Sequence, residues 1–149
     1  VIAMTQKSTI ERRAFQFFII VIAVICFVPG GVSTFGGMNA SAILGGGEPI
    51  FYEGSMLRGF ADNQYRFGFG GFLAQGFALV YFLSNIERYA ILFRFVALAL
   101  FIGGVGRFAN IVEYGVIDTQ VVGPTLIELF VVPALVLWHS RIIKPARID

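Results

Sequence analysis

Charge is scarce in this sequence. Only 13% of its 149 residues are Asp, Glu, Lys or Arg, about half the share carried by a typical soluble domain. The formal net charge of +2 is too small to draw a nucleic acid, and no nucleic-acid partner is expected. Cys26 is the one cysteine, so no internal disulfide can form, and it reads as a small apolar side chain. His139 is the one histidine. No second His or Cys stands at ligand spacing, which argues against a metal. No serine, histidine and acid set suggests hydrolase chemistry. The glycines of "GFGGFLAQG" sit inside an apolar run with no strand before them, unlike a nucleotide loop. No cofactor is indicated, and an enzyme is the least supported class.

What the chain has instead is long hydrophobic runs. Its residues are 57% hydrophobic, seventeen of them Phe, and the mean hydropathy is +0.81. That is the composition of a membrane protein. Four runs approach the roughly 20 residues needed to cross the hydrocarbon. The expected fold is an all-α, four-transmembrane-helix bundle in a single domain over residues 1–149, with helices near 14–32, 58–83, 93–112 and 121–143. A long glycine-rich loop from Gly30 to Leu57 is expected between the first two, because "GGVSTFGG" and "LGGGEP" disfavour a helix. Ile43, Leu44, Ile50, Phe51, Tyr52, Met56 and Leu57 are too apolar for a free loop, so it is expected to pack over the bundle mouth. The opening "KSTIERRAFQFFIIVIAVICFV" also has the form of a secretory signal. It is read as a retained helix.

Loop charges orient the spans. Lys7, Arg12 and Arg13 precede the first, Arg88 and Arg94 follow the second, and Arg141, Lys144 and Arg147 follow the fourth. Glu48, Glu53, Glu113 and Asp118 fill the other two connections. Bases therefore alternate with acids, and the positive-inside rule puts both termini in the cytoplasm.

Charged residues inside the spans are the costly ones. Arg107 stands in "FIGGVGRFANIVEYG", and a guanidinium keeps its charge in hydrocarbon. Ala99, Gly103 and Arg107 are four apart and share a face, as do Asp62, Arg66, Gly70, Ala74 and Ala78. Glu128 lies about two turns into the fourth span. The orientation brings Asp62, Arg66, Arg107 and Glu128 to the outer half of the bundle. We expect a polar cluster of Asp62, Asn63, Arg66, Arg107, Asn110 and Glu128, with Arg107 and Glu128 as partners. Gln75 lies deeper, suited to an interhelical hydrogen bond. Two readings stand open: ion pairs that fix helix register, or a site for an anionic head group. Pro133 is expected to bend the fourth helix or loosen a turn below Glu128. Trp138 reads as an interface anchor, and His139 beside it as a solvated or helix-end residue.

The order "ADNQYRF", "IERYAILFR", "FIGGVGRFANIVEYG" and "ELFVVPALVLW" resembles a family of small bacterial four-helix membrane proteins of unknown function. The resemblance runs from about Leu57 to the tail, and Asp62, Asn63, Arg66, Arg107 and Glu128 match its polar motif positions. It implies a bacterial inner (cytoplasmic) membrane and no activity. The overall plan is similar to small quinone-linked membrane subunits of the DoxX/DoxD kind, at the level of fold alone. Three functions follow as expectations. The first is an accessory subunit of a larger membrane complex, packed against other membrane protein subunits. The second is a binding protein for a lipid, quinone or other amphiphile, with the cluster on its head group. The third is a small oligomeric transporter, for which an internal repeat would argue, and none is visible.

Overall fold

The computed structural model describes residues 2–47, 56–115 and 117–143, and the side chains of these except residues 2–8 and 57. The order is α1 (Ile2–Leu44), α2 (Met56–Ser84), α3 (Ala90–Tyr114), α4 (Thr119–Leu126), a π-helical turn (Ile127–Val131) and α5 (Val132–Ile142). No strand occurs among the described residues. Four stretches are long and apolar enough to cross a membrane: Thr9–Leu44, Arg58–Ser84, Ala90–Tyr114 and Thr119–Ile142. The protein is thus all-α, with four membrane-spanning helices.

The glycine-rich loop expected from Gly30 does not begin there. Residues 30–44 are helical except at Gly37, and α1 runs on to Leu44. The cost of glycine in a helix is about 1 kcal/mol each, but a spanning backbone must satisfy its own hydrogen bonds. Glycine also lets α2 come close. A Cβ on Gly30 would stand 3.0 Å from the Leu73 Cα. Helix and packing together outweigh propensity. Ile43, Leu44 and Met56 are exposed on helices rather than packed. Ile50, Phe51, Tyr52, Glu48 and Glu53 lie outside the described residues, as do Lys144 and Arg147.

At about 1.5 Å per residue, the 36 residues of Thr9–Leu44 exceed a hydrocarbon core of about 30 Å. The helix does not run through unbroken. Gly37 has φ 70° and ψ −162°, which divides residues 2–36 from residues 38–44. The start of the fourth span is set by Asp118, whose carboxylate accepts from the Gln120 N–H at 2.8 Å as an N-cap. Its middle is widened by the π turn, where the Val132 N–H donates five residues back to the Ile127 carbonyl. Pro133 follows at once and has no N–H for the Leu129 carbonyl, so the wider turn keeps the proline ring clear of the turn before it.

The chain divides into two compact units, Val1–Phe18 with Phe82–Asp149 and Ile19–Tyr81. In the first, Phe15, Phe82 and Phe93 are buried together. The Phe82 and Phe93 rings stack at 4.7 Å, and Phe15 meets them edge-on. In the second, α1 and α2 run antiparallel, with Gly30 against Leu73 and Cys26 and Phe27 against Gly76.

Candidate functional site

The polar residues of the spans fall into two constellations, one in each unit. In the unit Ile19–Tyr81 the constellation is built on the break in α1. A helix that breaks leaves carbonyls on one side and N–H groups on the other without partners. Asp62 and Arg66, one turn apart on α2, take up both. The Asp62 Oδ1 accepts from the Met38 N–H at 2.7 Å. The Arg66 Nη1 donates to the Phe35 carbonyl at 2.6 Å. The Arg66 Nε bonds the Asp62 Oδ2 at 2.6 Å, locking the two caps together. Tyr65, on the same side of α2, donates to the Ser41 Oγ at 2.6 Å. Only glycine fits at the centre, because φ is positive and a Cβ on Gly37 would lie 2.3 Å from the Asp62 Oδ1. Asn63 faces away and is exposed.

In the other unit Arg107 of α3 meets Glu128, the second residue of the π turn. The Arg107 Nε lies 3.1 Å from the Glu128 Oε2. The N–H is not aligned on that oxygen, which accepts no hydrogen bond among the described residues. The contact is therefore one of charge. Glu128 is buried, whereas the Arg107 side chain is 35% exposed. Close approach of the two helices requires Gly104, since a Cβ there would stand 2.7 Å from the Glu128 Cβ. Arg107 lies seven residues before the end of α3, about 10 Å along the axis. Asn110 is exposed one turn further on. The Gln75 Oε1 is buried without a partner among the described residues.

His139 lies in the last turn of α5, a helix-end residue as expected. It is nevertheless fully buried, not solvated, and stacks on Phe15 at 5.4 Å with Phe82 and Phe93 edge-on at 5.3 and 5.1 Å. Its Nε2 lies 2.8 Å from the Ile86 carbonyl. A carbonyl only accepts, so the Nε2 carries the hydrogen. Trp138 beside it donates to the Glu11 Oε1 at 3.1 Å. Sequence reasoning missed His139 because one histidine in an apolar run carries no periodic signal. It also missed Tyr65 and Gly37. For Tyr65 a signal existed, since Asp62, Tyr65 and Arg66 stand at i, i+3 and i+4. Among the described residues no three His, Cys, Asp or Glu side chains gather as metal ligands.

No curated protein and no solved structure matches the chain. One family model does match, over residues 14–139, which takes in both constellations and all four spans almost entire. The chain belongs to the family described as Domain of unknown function (DUF4345).

Proposed function

We propose that this protein binds the acidic head group of a membrane amphiphile, such as a lipid or an acidic quinone-like molecule, at Arg107. The observation that carries this is the unequal pair in the π turn. Glu128 is buried and holds the guanidinium by charge alone, while the arginine keeps part of its surface open. Charged groups within a span are expensive and commonly functional, and π turns recur at functional sites. Asp62 and Arg66, by contrast, are hydrogen-bonded to the two sides of the break in α1. The proposed setting is the bacterial inner membrane with both termini cytoplasmic, which puts Arg107 in the outer half.

The test is purification in a mild detergent followed by mass spectrometry of bound small molecules. An acidic amphiphile should accompany the native protein. Its occupancy should fall roughly 10- to 100-fold in Arg107→Gln, the loss of a charge-assisted contact. A native protein that carries none, or an unchanged load in the variant, overturns the proposal.

A second reading is an accessory subunit of a larger complex. It is favoured by α3, where Ala99, Gly103 and Gly106 are exposed on one face and a Cβ on Gly106 would meet nothing within 4 Å. Small residues of this kind admit a neighbouring helix. The same purification answers it, because a large subunit in fixed ratio would move the function to that partner.

A further inference from the structure

Residues 38–44 differ from the rest of α1. They follow the break at Gly37, and none of the seven is buried. Ile43 and Leu44 are 62% and 47% exposed. Two turns of helix are too short to persist alone in water, and no residue of this segment belongs to the buried core. What holds it is polar and comes from α2: the Asp62 carboxylate on the Met38 N–H, and the Tyr65 hydroxyl on the Ser41 Oγ. Arg66 fixes Asp62 and ties the other side of the break through the Phe35 carbonyl. The Asn39 Oδ1 is buried there without a hydrogen-bond partner among the described residues, a cost of the closed position.

We propose that residues 38–44 are a hinged flap, with Gly37 as its hinge and Asp62, Tyr65 and Arg66 as the clasp that keeps it closed on α2. The glycine already interrupts the helical hydrogen-bond ladder. The flap therefore swings by exchanging a few polar contacts for water, without unwinding residues 19–34. Segments with few buried apolar contacts form the low-stability units that open locally. The "DNQYR" stretch is then read residue by residue. Asp62, Tyr65 and Arg66 face the break, and Asn63 and Gln64 are exposed.

Hydrogen exchange on the full chain in lipid nanodiscs tests this, comparing the amides of residues 38 and 42–44 with those of residues 20–34. In the native protein the flap amides should exchange first. Asp62→Asn should speed them roughly 10- to 100-fold, the effect of weakening a charge-assisted hydrogen bond, and leave residues 20–34 unchanged. Tyr65→Phe, which removes one hydroxyl and keeps the ion pair, should speed them about 2- to 10-fold. Unchanged flap exchange in both variants overturns the clasp. A parallel rise across residues 20–34 overturns the hinge, since α1 then opens as one piece. Should Asp62→Asn fail to fold, Tyr65→Phe alone decides by the same two criteria.

Discussion

Two arginines in the spans have different fates, and their surroundings explain why. Arg66 has a carboxylate one turn away and a free carbonyl opposite, so its Nε and Nη1 donate within the protein. Arg107 has one neighbouring acid, close but misaligned. Breaking a fully buried ion pair by removing one partner costs about 3–5 kcal/mol. Here Arg107 is about one-third exposed, 35% by side chain, so Glu128→Gln should cost less, about 1–3 kcal/mol. Changing both residues to Leu should recover part of that loss, because no charge is then left unpaired. Thermal unfolding of the two variants in detergent is the check. A double variant less stable than Glu128→Gln would mean that the pair holds the π turn by shape rather than by charge.

In the unit Val1–Phe18 with Phe82–Asp149, the turn between α2 and α3 is tied to α1 and α5. The short connection 85–89 between α2 and α3 carries Glu87, whose carboxylate accepts from both Nη1 and Nη2 of Arg12, the latter at 2.9 Å. That hydrogen bonding holds the Glu87 carboxyl below the ordinary glutamate value of 4.5, against a smaller opposing effect of burial. A carboxylate with a lowered value stabilises the folded state above its unfolded value, and the gain is lost as pH falls through the folded one. Both side chains are well exposed, at 41% and 46%, so the pair contributes no more than about 1 kcal/mol and less in high salt. Glu87→Gln should therefore melt slightly below the native protein at pH 7, and the difference should close as pH falls through the lowered Glu87 value. A difference that persists at acid pH would assign the effect to packing. The same connection accepts the His139 Nε2–H at the Ile86 carbonyl, a link between α5 and this turn.

For the molecule as a whole, the alternation of bases and acids in the connections predicts its orientation. Ile117, 83% exposed in the connection before α4, should face outward, and Arg88 should face the cytoplasm. In intact cells a membrane-impermeant thiol reagent should label Ile117→Cys and not Arg88→Cys. The native Cys26 is buried and gives no background. The reverse pattern would invert the proposal and put Arg107 in the inner half.

The sequence by itself determined that the chain is helical and membrane-spanning, because about 20 consecutive apolar residues admit few other structures in hydrocarbon. It also marked Arg66, Arg107, Asp62 and Glu128 as the residues needing an explanation, because charge in a span is costly wherever it falls. Only the tertiary structure decided what each one meets. Propensity counts glycine against a helix, yet at Gly30 and Gly76 the absent side chain is what lets α1 and α2 approach. The break falls at Gly37 because an Asp and an Arg on another helix supply the caps there, a coincidence of two segments 24 residues apart for Met38 and Asp62. His139 is buried for the same kind of reason, since the three rings around it come from three different helices. Local pattern specifies how a segment folds, and partners distant in sequence specify what its polar groups can do.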